Sequence, residues 1–484
     1  RMANIPMLEP ATPQEAKDFT KEAFLISEKF KTPVLIRLTT RVDHTSAPVN
    51  LASLEKPKQK GQFKKDFKKY FTFAPRMVQI HKALLEKIEK IEKYFEGSKL
   101  NYIENGTSKS ELGIITSGVS FCYINDALDK LNLKIPVLKI GTTYPVPEKL
   151  INQFIKDKKT ILAVEELEPI LENEIRRLAK DTNCKLNIEG KSLIPRVGEL
   201  RPEIVEKALC ELLRKKLRMD FTSHAKQFLN LDILRRFPVL CPGCPHRATF
   251  YAVKSVAPDA IYGGDIGCYM LGAFPPFYTQ DFMYDMGAGI GIIHGIKKST
   301  DQKTISFIGD GTFFHAGIPG LINMVFNKSN SLVIIMDNRI TAMTGHQPNP
   351  GVGKTGMGEE TTQIKAEDIA RACGVKNVKV VSAYNIKEMK KTVKEFLDKD
   401  ELSVIVAKGP CILLRWREMR KKGEKIIPYQ IDQDKCKKCG TCVMNFACPA
   451  IKFENGKYQI DKDLCSGCGT CAQVCPFGAI KKSK

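Results

Sequence analysis

The sequence lacks several features, and each absence narrows its class. No run of about 18 or more apolar residues occurs, so no membrane-spanning helix is expected. The amino terminus has no basic–apolar–small pattern of a secretion signal, and it opens on Arg1 rather than methionine. No self-similar period of roughly 20–50 residues marks a solenoid. Acidic residues are in deficit, 54 against 76 Lys and Arg, for a formal net charge of +22. The basic residues are dispersed and are not interleaved with aromatics in a stacking platform, which argues against a nucleic-acid partner. The excess reads either as a solvated lysine-rich surface or as a field that steers an acidic partner or a phosphate-bearing ligand.

Cysteine is abundant by contrast. Sixteen occur, and eight of them fall in regular runs between Cys436 and Cys475. In a 484-residue chain without a secretion signal, such clustering favours metal over disulfides and implies a reducing cytoplasm. The length suggests about three domains.

Gln14 to Phe30 has helical periodicity, and Pro33–Leu38 reads as a short buried strand. A helix and a strand alone cannot bury a core, so residues 1–55 read as the end of a domain whose remainder is expected upstream or on another chain. Residues 56–104 read as a lysine-rich linker followed by a helix over 76–96, whose Met77, Ile80, Leu84, Ile88, Ile91 and Phe95 recur at three and four. Residues 105–219 read as α/β, with strands at Leu112–Ser117, Val137–Ile140 and Thr160–Val164, and 220–425 as a second α/β unit. Residues 426–484 change character to a short, Cys-rich, Gly/Pro-punctuated domain.

The tail holds two runs, Cys436-x2-Cys439-x2-Cys442-x5-Cys448-Pro449 and Cys465-x2-Cys468-x2-Cys471-x3-Cys475-Pro476. Three thiolates at this spacing wrap three irons of a cubane, and the cysteine before proline serves the other cubane. One [4Fe-4S] cluster is therefore expected on Cys436, Cys439, Cys442 and Cys475, and the other on Cys465, Cys468, Cys471 and Cys448. Zinc usually pairs two separated C-x2-C units, a pattern these triplets fit poorly. The tail resembles bacterial-type two-cluster ferredoxins, from which the x5 gap departs as a local loop insertion.

Thr304–Ile308 reads as a strand ending at Gly309-Asp310-Gly311, and Ser331–Met336 as the next parallel strand, ending at Asp337-Asn338. Ligands of such sheets bind at the carboxyl ends of the strands. Asp310 and Asn338, with a backbone carbonyl, suit octahedral magnesium shared with a diphosphate. Gly309 and Gly311 let the backbone approach phosphates closely. Gly-Asp-Gly alone is a common turn; followed at this distance by Asn it resembles the thiamine diphosphate motif. That resemblance implies Asp310, Asn338 and the Ile340 carbonyl as magnesium ligands. Two glycine-rich stretches accompany it, one with Gly264, Asp265 and Gly267, the other with Gly287 and Gly289 opening a helix whose amino end could face phosphate. Thr344 and His346 lie just past the magnesium asparagine, where His346 is either a substrate or diphosphate contact or an uninvolved loop histidine.

Further stretches carry a resemblance over nearly the whole chain. They are Asn4–Pro10, Thr39–His44, Val164–Pro169, Pro195–Leu200, Cys241-Pro-Gly-Cys-Pro-His-Arg247 and Thr341–Pro348. With them the chain resembles the indolepyruvate:ferredoxin oxidoreductase alpha subunits of the 2-oxoacid:ferredoxin oxidoreductase superfamily. The resemblance implies an α/β multidomain fold. Residues 1–55 would be the end of a pyrimidine-binding domain that mostly precedes Arg1. A transketolase C-terminal-like domain would follow, then a thiamine diphosphate-binding, doubly wound parallel sheet and an α+β two-cluster ferredoxin domain. It implies oxidative decarboxylation of an arylpyruvate with coenzyme A, a smaller beta subunit, and soluble ferredoxin as electron acceptor. Related pyruvate enzymes carry a proximal cluster near the thiamine, at positions matching Cys241, Cys244, Cys268 and Cys411. Those four are either a third cluster or plain buried cysteines. Cys122, Cys184, Cys210 and Cys373 read as plain thiols. The competing functions are oxidation of another 2-oxoacid (pyruvate or branched-chain), non-oxidative thiamine-dependent decarboxylation, and a pure electron-transfer subunit.

Overall fold

The computed structural model describes residues 3–51, 63–70, 72, 74–106, 110–217, 221–228 and 237–483. Of the linker expected before residue 76, positions 56–62, 71 and 73 lie outside the described residues, as does the expected boundary at 219/220. The chain divides into two compact units, Arg1–Asp232 and Ile233–Lys484.

The first unit contains α1 (Pro13–Phe30), α2 (Met77–Phe95) and a five-stranded sheet. Thr12 caps α1 by accepting from the Glu15 amide, and Pro13 opens it at a position where no amide hydrogen is needed. The strands are β1 (Tyr102–Glu104), β2 (Leu112–Ser117), β3 (Val137–Ile140), β4 (Thr160–Val164) and β5 (Asn187–Glu189). Their order is β1-β3-β2-β4-β5, parallel except for β1 at the edge. Every residue of β2 and β3 is buried. Both are mostly apolar because a parallel sheet is covered by helices on both faces; the exception in β3 is Lys139, fully buried and ion-paired with Glu15 of α1. One covering layer holds Ile124, Leu128 and Leu209, the other Ile151, Ile155 and Ile175.

The amino-terminal segment differs from expectation. Phe19, Ala23 and Ile26 of α1 close a core with Ile88, Ile91 and Phe95 of α2 and with Leu8. Met7–Leu8 pairs with Leu35–Ile36 and with Thr142–Tyr144. The apolar stripe of α2, more than forty residues downstream by number, covers the helix that seemed to lack a partner in this chain.

The second unit is built on an all-parallel sheet. After α3 (Pro245–Val256) come β6 (Ile261–Gly263), α4 (Ala288–Lys297), β7 (Thr304–Gly309), α5 (Ile318–Phe326), β8 (Leu332–Asp337), β9 (Asn377–Ser382), α6 (Ile386–Leu397), β10 (Ser403–Lys408) and α7 (Ile412–Lys421). The strand order is β9-β10-β8-β7-β6. Between Gly311 and α5 the chain makes a π turn at Phe313–Gly317. Pro319 has no amide hydrogen for the His315 carbonyl, which breaks regular helix pairing there.

The Cys-rich tail packs on this unit. Its strands β11 (Tyr429–Ile431) and β14 (Ile480–Lys482) pair antiparallel, as do β12 (Ile451–Glu454) and β13 (Lys457–Ile460). Two short helices, Thr441–Met444 and Thr470–Val474, each start at a left-handed glycine, Gly440 at φ 76° and Gly469 at φ 75°. The sequence duplication is thus a structural one. Phe446, Ile451, Val474 and Ile480 share a continuous core with Ala248, Phe250, Ala252 and Met389 of the α/β layer.

Candidate functional site

The site lies at the carboxyl ends of β7 and β8, adjacent parallel strands in which Gly309 is level with Met336. Asp310 and Asn338 each leave their strand at this edge. A cavity opens there, lined among others by His246, Cys268, Gly309, Asp310, Asn338 and Ile340. Gly267 and Gly311 also line it. A β-carbon on Gly311 would come within 2.5 Å of the Thr341 hydroxyl, so the close backbone approach requires glycine.

Asp310 is 4 % exposed. Its Oδ1 accepts from the Gly311 amide at 2.8 Å, while Oδ2 meets no hydrogen-bond partner. Burial, and then the neighbouring Asp337 carboxylate, push its carboxyl up to about 7. An orphaned acceptor on a buried carboxyl fits a cation ligand. Asn338 turns its Oδ1 to the Ile340 amide at 3.1 Å, and its Nδ2 lies 3.2 Å from His246 Nε2. An amide nitrogen can only donate, so His246 accepts there as a neutral imidazole. Burial holds its pKa down to about 4. His246 thereby fixes which way the Asn338 amide faces. Asn349 is buried beside this cluster, with Oδ1 on the Gly351 amide and an unpartnered Nδ2.

The glycine-rich stretches also make a contact within the chain. Asp265 is fully buried, and its Oδ2 accepts from the Gly287 amide at 2.8 Å, so this carboxylate occupies the amino end of α4. A β-carbon on Gly289 would lie 3.0 Å from the Gly264 backbone. Gly264, Asp265, Gly287 and Gly289 thus pin the 263–267 loop to α4 at the rim of the cavity. Thr344 is exposed and bonds Gln347 at 2.7 Å. His346 has its Nε2 3.9 Å from Cys411 Sγ.

The tail thiols surround two further cavities. Cys436, Cys439, Cys442 and Cys475 line one, and Cys448, Cys465, Cys468 and Cys471 line the other. These are the two crossed sets expected from the spacing. The two extra residues before Cys448 seat Phe446 in the core, edge-on to Tyr251 at 5.7 Å. Amide hydrogens point at sulfur in both sets, Tyr429 N to Cys465 Sγ at 3.4 Å and Ala479 N to Cys475 Sγ at 3.3 Å.

Cys241, Cys244, Cys268 and Cys411 are brought together as well. Cys268 feels the charges of Cys411 and Cys241, and Cys244 those of Cys241 and Cys268. Cys244 precedes α3 and Cys411 precedes α7, so both thiols sit at helix amino ends, where negative charge is favoured. Burial pushes Cys244 up to about 12 and Cys268 up to about 11. The Pro242-Gly243 turn between the first two cysteines forms a wall of the cavity around Cys448, Cys465, Cys468 and Cys471.

His246 and Asn349 are the site residues that motif reasoning did not single out. The signal for His246 was its place directly after the Cys-Pro-Gly-Cys-Pro turn; a lone loop asparagine gives none.

Residues 265–407 match the family model described as thiamine pyrophosphate enzyme, C-terminal TPP binding domain, and 458–481 match the 4Fe-4S binding domain. The chain is 40% identical to the indolepyruvate oxidoreductase subunit IorA of Methanothermobacter thermautotrophicus, over 99% of this chain and 77% of that protein. It is 41% identical to the subunit of the same name from Pyrococcus horikoshii, over 100% of this chain and 78% of that one. Among solved structures, the 2-oxoglutarate:ferredoxin oxidoreductase of Magnetococcus marinus aligns at 19% identity and a TM-score of 0.34, covering 37% of this chain and 67% of that one. A thiamine diphosphate-binding α/β domain and an iron–sulfur domain in one chain, with identity at this level along its whole length, leave one conclusion: the chain belongs to the indolepyruvate oxidoreductase IorA subunit family.

Proposed function

We propose that this chain is the larger subunit of a thiamine diphosphate-dependent 2-oxoacid:ferredoxin oxidoreductase. It would convert an arylpyruvate and coenzyme A to the aryl-acetyl-CoA and CO2, with a smaller beta subunit as partner and soluble ferredoxin as acceptor. The observation that carries this reading is the position of Cys268. It lines the cofactor cavity and also belongs to the thiol quartet, and the quartet's own turn walls the next thiol cavity. Such an arrangement suits a reaction whose electrons must leave singly; a non-oxidative decarboxylase has no use for it.

Bound thiamine diphosphate supplies carbanion stabilisation for decarboxylation, and iron–sulfur clusters supply one-electron carriers. The chain's residues would do the rest. Asp310 Oδ2, Asn338 Oδ1 and the Ile340 carbonyl would hold magnesium and through it the diphosphate. His246 would keep the Asn338 oxygen turned inward. Tyr269, 3 % exposed, closes one wall of the cavity against water. The quartet Cys241, Cys244, Cys268 and Cys411 would hold a proximal cluster. The set with Cys448 would form the inner relay, and the set with Cys439, an exposed thiol, the outer one. The +22 charge would favour an acidic acceptor and the phosphates of coenzyme A.

The test is anaerobic reduction of a viologen dye by the chain assembled with its partner subunit. Reduction that needs both an arylpyruvate and coenzyme A supports the reading. Carbon dioxide release without dye reduction would replace it with non-oxidative decarboxylation, and neither product would leave an electron-transfer subunit.

A further inference from the structure

Arg247 lies three residues beyond Cys244, in the first turn of α3, and only 2 % of its surface is exposed. A guanidinium is almost never buried without a counter-charge, because removing it from water is too unfavourable. After burial itself, the groups that act most on its charge are four thiols, those of Cys448, Cys244, Cys241 and Cys468. They belong to two different sets. The first and last line the inner tail cavity, and the other two belong to the quartet.

The hydrogen bonds describe the same bridge independently. One terminal nitrogen donates to the carbonyls of Phe446, at 3.3 Å, and Ala447, the two residues before Cys448. The other donates to the carbonyl of Leu240, the residue before Cys241. The Nε has no partner. The guanidinium also sits 5.9 Å from the Phe277 ring centroid. One cation thus ties the turn that opens the quartet to the loop that delivers Cys448.

A [4Fe-4S] cluster on four thiolates is anionic, and reduction makes it more so. A fixed positive charge in a water-poor interior stabilises the reduced form more than the oxidised one. We propose that Arg247 is the internal counter-cation of the relay, a positioning residue that raises the reduction potential of the cluster on Cys448, Cys465, Cys468 and Cys471 and of the group on the quartet. The inference rests on the cluster assignment above and assigns Arg247 a part in setting how readily electrons enter the wire. The outer set on Cys436, Cys439, Cys442 and Cys475 contributes no thiol among the leading charges at Arg247, so its potential should respond to Arg247 least.

The experiment is an EPR-monitored redox titration of the anaerobic two-subunit enzyme, comparing wild type with R247K and R247Q. Both variants lose the planar guanidinium fork, but only R247Q loses the charge. The expected result is a fall in the inner-cluster potential in R247Q, a potential close to wild type in R247K, and a smaller shift of the outer cluster. An unshifted inner cluster in R247Q, or an equal shift in the two variants, overturns the proposal. The wild type gives a reading that depends on no variant. Its inner cluster, although the more buried, should titrate at or above the outer one, and an inner cluster titrating below overturns the role of Arg247 even where R247Q fails to keep iron. Absence of any cluster signal from iron-loaded wild type overturns the cluster assignment itself, a failure distinct from that of Arg247.

Discussion

Asp310→Asn should stabilise the metal-free protein at pH 8 and at the same time weaken its hold on the cofactor. The carboxyl is buried, its Oδ2 meets no donor, and its pKa stands at about 7 against an ordinary 3.8. A carboxyl with a raised folded pKa binds more protons folded than unfolded. Its unfavourable contribution is therefore absent below about pH 4, grows as the pH rises to about 7, and is complete above that. A shift of about three units corresponds to roughly 4 kcal/mol, part of it shared with Asp337. Asparagine keeps the shape and carries no charge to desolvate. Even a quarter of that energy, about 1 kcal/mol, moves the melting of a domain of this size by about 2–4 °C. Scanning calorimetry in chelator should show the variant melting above wild type at pH 8, with the gap closing at pH 5. Titration calorimetry with magnesium and thiamine diphosphate should show affinity reduced at least about tenfold, or about 1.4 kcal/mol. A variant that melts below wild type at pH 8, or binds the cofactor equally well, would refute the assignment of Asp310 as a metal-bearing carboxylate.

Anaerobically purified protein should contain about eight irons per chain, or about twelve if the quartet carries a cubane, counting four per cluster. The double change Cys241→Ser and Cys244→Ser should lower the count by about four, and an unchanged iron content would remove the quartet from the relay. His246→Ala frees the Asn338 amide to turn, so cofactor affinity should fall by about tenfold or more, as for other groups that orient metal ligands; unaltered binding in calorimetry would count against that orienting role. Gly243→Ala would set a β-carbon 1.9 Å from the Ser466 hydroxyl at a φ of 78°, and should destabilise the second unit by about 1–3 kcal/mol in a thermal melt. Adding Ser466→Gly should restore part of that loss, because one of the two clashing groups is gone.

Parts of this molecule were legible from local pattern. Val137–Ile140 and Thr160–Val164 fall where their apolar residues place them, because strands buried on both faces are mostly apolar, and the one cation among them, Lys139, is neutralised by Glu15. The two crossed thiol sets follow from spacing alone, since a short loop can point its cysteines in few ways. Contacts distant in sequence were not legible. The core shared by α1 and α2 joins stretches that the lysine-rich region separates, and neither stripe names its partner. The contact of Asp265 with the Gly287 amide, at the amino end of α4, was visible only in three dimensions. The π turn after Thr312 required weighing Pro319 against an otherwise helical sequence. His246 and Arg247 were visible as letters of a motif. Their separate tasks, one turned to Asn338 and the other to the carbonyls beside Cys241 and Cys448, depend on which face of α3 each occupies.

The central claim is that oxidation at the Asp310–Asn338 site feeds the thiol-bound clusters. Rapid mixing of the anaerobic two-subunit enzyme with an arylpyruvate and coenzyme A, frozen for EPR and sampled for product, tests it most directly. The account predicts reduced [4Fe-4S] signals appearing together with the aryl-acetyl-CoA, two electrons for each thioester formed, and neither signal in Asp310→Ala protein. Product formation with the clusters still oxidised would contradict it.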